Sequence, residues 1–132
     1  MVDEDSNKAV VRRFIEGFLN SGSADVADEV LAADYTDHTP STPGLAGREN
    51  VKRFVNEWLA AFPDSRSVVK DMVAEGDKVA ARWTTIATHQ GQFRGVSPTG
   101  KQLEVEAIGI FRIAKGRIVE SWDKYDTPSL WQ

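Results

Sequence analysis

Residues 102–126 read Q-L-E-V-E-A-I-G-I-F-R-I-A-K-G-R-I-V-E-S-W-D-K-Y-D. Side chains alternate in character on both sides of Lys115-Gly116, which predicts two long antiparallel strands joined by a tight hairpin. In the first strand, Gln102 to Ala114, Glu104 and Glu106 fall on one face, and Val105, Ala107, Gly109 and Phe111 on the other. In the second, Gly116 to Asp126, Arg117, Val119, Ser121 and Asp123 share one face, and Ile118, Glu120, Trp122 and Lys124 share the other. Small residues in mid-strand leave room beside Phe111 instead of filling a core. Asp123 is expected to project into that room.

Working back from the hairpin, the period of two persists to Pro63. A strand is expected over about Arg66–Ala74, a turn at Glu75-Gly76-Asp77, and a second strand over Lys78–His89. Val79, Ala81, Trp83, Thr85, Ala87 and His89 share one face of that strand. A Gly/Pro-rich link, G-Q-F-R-G-V-S-P-T-G-K at 91–101, follows it. Before Pro63 the period is helical. Ser6 is a reasonable N-cap for a helix to about Asn20, whose apolar stripe is Val10, Val11, Phe14, Ile15, Phe18 and Leu19. Ser23 caps a short second helix with Val26, Val30 and Leu31 inside. Asp34 to Gly47 reads as an irregular loop. A third helix runs from Gly47 or Arg48 to just before Pro63, with Val51, Phe54, Val55, Trp58, Leu59 and Phe62 at helical spacing. Helices followed by a strand meander argue for an α+β fold, and 132 residues make one domain, with residues 1–5 expected to fray. A curved sheet with one helix-covered face encloses a cavity.

Composition narrows the functions. The formal net charge is -4, and basic residues form no run, which argues against nucleic acid and anionic membranes as partners. There is no cysteine and there are only two histidines, so no metal site is expected. The polar N-terminus lacks the apolar stretch of a secretory signal, and no run approaches a membrane span; a cytoplasmic location is the expectation.

Asp123 is the first candidate for chemistry, because a carboxylate on the inner face of a half-buried strand is costly unless paired or useful. Its alternative is a rim aspartate in a structural ion pair. His89, in phase with Trp83, either faces a ligand or is a satisfied core group. His38, in the loop after Tyr35, is either a donor at the pocket mouth or an exposed loop residue. Trp83, Trp58 and Phe111 are aromatic groups suited to a pocket wall or to packing.

The segments Y-T-D-H-T-P (35–40), P-G-L-A-G-R-E-N-V-K-R-F (43–54), A-A-F-P-D (60–64), E-G-D-K-V-A-A-R-W (75–83), H-Q-G-Q-F-R-G-V-S-P-T-G-K (89–101) and I-G-I-F-R-I-A-K-G-R-I-V-E-S-W-D (108–123) together resemble the SnoaL-like polyketide cyclases and ester cyclases of the nuclear transport factor 2-like superfamily. The resemblance implies a single domain over residues 1–132, a cone of three helices on a strongly curved antiparallel sheet around a deep apolar cavity. It implies intramolecular aldol ring closure without metal or cofactor, with Asp123, the aspartate of E-S-W-D, as acid and base. His89 is then an assisting catalytic group, and Tyr35, His38, Trp58, Trp83, Gly109 and Phe111 line the substrate. The expected partner is a small apolar carbonyl compound, and a homodimer or homotetramer is expected. The chain departs from the family pattern at Gly109, where an assisting histidine is usual, and at Trp122, where a basic residue can occur. The rival reading is a non-catalytic module of the same fold that carries an apolar ligand. Epoxide hydrolysis ranks last, because it wants several polar groups around a water.

Overall fold

The computed structural model describes residues 3–38 and 46–125. The first helix is built from α1 (Glu4–Arg12), a π-helical segment (Arg13–Phe18) and a last turn, α2 (Leu19–Ser21). It begins inside the stretch expected to fray. Asp3, not Ser6, is the cap: its carboxylate accepts from the Ser6 N–H at 3.1 Å and the Ser6 hydroxyl at 2.8 Å. Glu4 and Asp5 in the first turn favour the positive end of the helix dipole. Val11, Phe14, Ile15 and Phe18 are buried along its inner side. Gly22 ends the rod in the left-handed region, φ 68°. Helix α3 (Ala24–Val30) starts at Ser23, whose hydroxyl accepts from the Val26 N–H, and α4 (Arg48–Ala61) follows Gly47.

The chain is helices on a five-stranded curved sheet of order β1-β5-β4-β3-β2, with β1 Leu31–Asp37, β2 Arg66–Glu75, β3 Lys78–Thr88, β4 Gln102–Ala114 and β5 Arg117–Tyr125. Four strands form the expected antiparallel meander. The fifth is an addition: β1 lies parallel to β5, where a buried end of helix two and an irregular loop were expected. Its register slips between Leu31 and Thr36, so it carries no clean alternation. Leu31 and Tyr35 are nevertheless buried, and they anchor it. The rest of that expected loop, residues 39–45, lies outside the described residues, as does Asp126.

The Lys115-Gly116 hairpin has positive φ at both residues, 55° and 77°, the geometry of a two-residue turn matched to strand twist. Beyond it a bulge intervenes. Ile113 pairs with Ile118 but Arg112 pairs with Glu120, which leaves Val119 as the extra residue. Strict alternation placed Ile118 opposite Asp123; the bulge turns Ile118 inward as well, and Ile118 and Ser121 are both fully buried. The outer face carries exposed Ile86, Ile108, Ile110 and Trp122.

Strand β2 is an open edge, and the first helix covers it. Asn20 Oδ1 accepts from the Ser67 N–H at 2.6 Å, and its amide donates to the Ser67 carbonyl at 3.0 Å. Glu16 Oε2 accepts from the Val69 N–H at 3.0 Å. These side chains take the place of a neighbouring strand. The Val69 N–H holds the Glu16 carboxyl below its ordinary value; burial opposes this and Arg12 assists. Protonation therefore costs more in the folded state than in the unfolded chain. The clamp contributes stability above about pH 4.5, the ordinary value, and that stability is lost as pH falls through the lower folded value. Urea unfolding at pH 7 and pH 3.5 should show a smaller loss on acidification for Glu16→Gln than for the wild type; equal losses would contradict the clamp.

Candidate active site

The inner sheet face is laid out in transverse rows. Asp123 pairs with Gly109, and Gly109 with Ala81. On one side of this row, Ser121 pairs with Phe111, and Phe111 with Val79; on the other, Tyr125 pairs with Ala107, and Ala107 with Trp83. Two small residues thus lie beside the carboxylate, between two aromatic rings. Trp83 and Phe111 stand 5.9 Å apart by ring centroids, and Phe14 packs edge-on to Phe111 at 5.9 Å. Asp123 is half-buried, and its Oδ1 is fully buried.

Gly109 is where Asp123 finds its room. A Cβ built on Gly109 would stand 2.3 Å from Asp123 Oδ1 and 3.3 Å from Phe111 Cε2. The carboxylate leans over the glycine into the space that any other residue would fill. Gly109 is thus the residue that seats the aspartate.

Tyr35 comes from β1 and is 2% exposed. Its hydroxyl is 2.5 Å from Ser121 Oγ, itself fully buried, and Ser121 Oγ donates to Asp123 Oδ2 across 3.5 Å. A carboxylate only accepts, so the direction is fixed: Tyr35 donates to Ser121, and Ser121 to Asp123. Burial pushes the Tyr35 phenol far above its ordinary value, the negative charges of Asp37 and Asp123 push the same way, and Ser121 partly offsets them. The phenol stays protonated as a donor. Ser121 is the group the sequence reading passed over as a participant. The signal was present, since Ser121 lies two residues before Asp123 on the same face.

The remaining candidates lie elsewhere. His89 is fully buried, but it follows β3 eight residues beyond Ala81, roughly 26 Å of strand away. Its Nδ1 accepts from the Thr99 N–H at 3.2 Å, and its ring stacks on Phe62 at 5.2 Å. That acceptor role puts the proton of the neutral ring on Nε2, which is buried without a hydrogen-bond partner. Trp58 belongs to the same smaller cluster: it stacks on Phe62 at 4.0 Å and donates from Nε1 to Ser65 at 2.9 Å. His38 is exposed, stacked on Trp122 at 5.0 Å, with Nε2 2.9 Å from Glu120. Both partners point outward, which sets His38 on the outer face and not at an inner mouth. The structure therefore brings together Asp123, Gly109, Phe111, Trp83 and Tyr35, and does not bring His89, Trp58 or His38 to them. Among the described residues no cluster of three or more His, Asp or Glu side chains is suited to a metal ion, and no helix is long and apolar enough to cross a membrane.

The backbone at Gly109 does not require glycine, since its φ is not positive. Gly109→Ala is expected to fold, and its crystal structure to show the Asp123 carboxylate rotated away from the Ala81–Gly109 row. A carboxylate in its wild-type position would contradict the seating described.

A family model described as SnoaL-like polyketide cyclase matches residues 9–132. Among solved structures, a proposed SnoaL-like polyketide cyclase from Jannaschia sp. CCS1 is 27% identical with a TM-score of 0.83, over 93% of this chain and 87% of that one. IdmH from Streptomyces antibioticus, a proposed polyketide cyclase, is 32% identical with a TM-score of 0.77, over 92% of this chain and 91% of its own. AclR from Streptomyces galilaeus, a proposed hydroxylase, is 27% identical with a TM-score of 0.80, over 94% of this chain and 77% of its own. No functionally curated protein matches the chain.

Proposed function

The chain belongs to the SnoaL-like polyketide cyclase family, and on that premise we propose that it is an acid/base catalyst of ring closure in a small apolar compound bearing several carbonyls. Asp123 takes a proton from a carbon flanked by carbonyl groups. The C–H electron pair becomes an enolate, whose carbon bonds to a further carbonyl carbon of the same molecule, outside the enolate, and the pair of that C=O bond moves to its oxygen. The alkoxide so formed takes the proton back from Asp123. Product and substrate are isomers, and no other reactant is consumed. One well-placed carboxylate serves both transfers, for roughly 10²–10⁴-fold in rate. Trp83 and Phe111 supply an apolar wall that holds the reacting carbons close.

The observation that carries this reading is the seat of Asp123: a carboxylate over a glycine, beside the small residues Ala81 and Ala107 and against aromatic rings. A structural ion pair has no need of that gap. His89, with Nδ1 committed to Thr99 and its ring stacked on Phe62, is assigned to packing in the smaller cluster.

The test is deuterium uptake at the activated carbon of 1-phenylbutane-1,3-dione and related apolar 1,3-diketones in D2O, followed by NMR. The wild type should accelerate exchange, and Asp123→Asn should lower the rate by roughly 10²–10⁴-fold while leaving the fold intact. No acceleration by the wild type, or equal rates for the two proteins, would contradict the assignment.

The outer sheet face is the proposed surface of self-association, because Ile108, Ile110 and Trp122 are exposed there side by side. Sedimentation should show a dimer or tetramer, converted to monomer by Ile110→Lys; a monomeric wild type would exclude it.

A further inference from the structure

We propose that Tyr35 and Ser121 are positioning residues that act in series on Asp123, with Tyr35 reaching the carboxylate only through the serine hydroxyl. This rests on the reading of Asp123 as the reacting base.

The geometry gives the chain of contacts a single direction. Tyr35 OH to Ser121 Oγ is 2.5 Å, and Ser121 Oγ to Asp123 Oδ2 is 3.5 Å. The second contact is at the outer edge of hydrogen-bond range. Bonds to a catalytic base are often long before substrate arrives, and a full negative charge draws a donor inward. Ser121 is fully buried beside Phe111, and among the described residues its hydroxyl meets these two partners. A serine that accepts from a phenol gives up its own proton more readily, because hydrogen bonds in a chain polarise one another.

The three residues come from two strands that meet in parallel. Asp37 pairs with Ser121, two residues after Tyr35, and the His38 N–H donates to the Ser121 carbonyl at 2.8 Å. Backbone pairing thus fixes Ser121 while the phenol aims its hydroxyl. The Tyr35 carbonyl accepts from the Gly47 N–H at 2.5 Å, which ties the same residue to the start of α4. Among the described residues, the charged groups acting on the phenol are Asp37 and Asp123. Both are negative, so they keep the proton on Tyr35 and preserve the direction of donation.

Carbon-13 NMR of labelled aspartate reads the effect without any substrate, and the spectrum of Asp123→Asn identifies the resonance. Donation to the charged form favours it. Ser121→Ala and Tyr35→Phe should each raise the pKa of Asp123, and Ser121→Thr, which keeps a hydroxyl, should restore the wild-type titration. The double variant Tyr35→Phe/Ser121→Ala should titrate like Ser121→Ala alone, because without the serine the phenol has no route to the carboxylate. In the exchange assay Tyr35→Phe should lower kcat by about tenfold with KM unchanged. Should Tyr35→Phe fail to fold, 3-fluorotyrosine in a Tyr125→Phe background makes Tyr35 a stronger donor and should lower the pKa of Asp123. Additive shifts in the double variant, or a titration of Asp123 indifferent to Tyr35, would overturn the serial arrangement. Loss of the role assigned to Asp123 would instead appear as turnover unaffected by Asp123→Asn, so the two failures are distinguishable.

Discussion

A carboxylate on the inner face of a sheet needs two things: space for its oxygens and a donor for its charge. Gly109 gives the space, since a single added carbon would stand 2.3 Å from Asp123 Oδ1. Ser121, backed by Tyr35, gives the donor. The two requirements come from opposite neighbours of β5, with Gly109 on β4 and Tyr35 on β1. The pairing of β1 with β5 is therefore more than an edge decoration. It closes one side of the site and, through the Tyr35 carbonyl and Gly47, sets where α4 begins.

The inner face divides into two ends with different contents. Around Asp123 lie Ala81, Ala107 and Gly109 with buried hydroxyls. Around His89 lie Phe62, Phe93, Leu103 and Trp58, packed against one another. Arg94 lies over the rings of Phe54 and Phe93 and pairs with Glu57, so the link after β3 is held onto α4. A cation over aromatic rings fixes the link at the His89 end, whereas at the Asp123 end the glycine under the carboxylate leaves space for its oxygens.

Much of this was legible in the residues. The period of two on β3, β4 and β5 gave the correct inward face for Trp83, Gly109, Phe111 and Asp123, because a half-buried strand has one dominant way to sort its side chains. Helix α4 was equally plain from its apolar spacing. Strand β1 was not, because its register to β5 slips and its sequence, L-A-A-D-Y-T-D, keeps no alternation. Nor was the bulge at Val119, which exists only in relation to a partner strand. His89 marks the limit of periodicity: phase tells which face a residue occupies, but only strand pairing puts Asp123 in the row of Ala81, eight residues before His89. His38 is a related case, since only its contacts with Trp122 and Glu120 decide which side of the sheet a residue just past β1 takes.

Structures similar to this chain include proposed cyclases and a proposed hydroxylase, so the fold alone does not select a reaction. Selection has to come from the site, and in the site proposed Asp123 has its seat over Gly109 and a donor in Ser121. The most direct measurement is a crystal structure of the protein soaked with an apolar 1,3-diketone. The account predicts electron density for the diketone against Trp83 and Phe111, with its activated carbon within reach of Asp123. Density lodged instead among Trp58, Phe62 and His89, or Asp123 left without contact to the bound molecule, would contradict it.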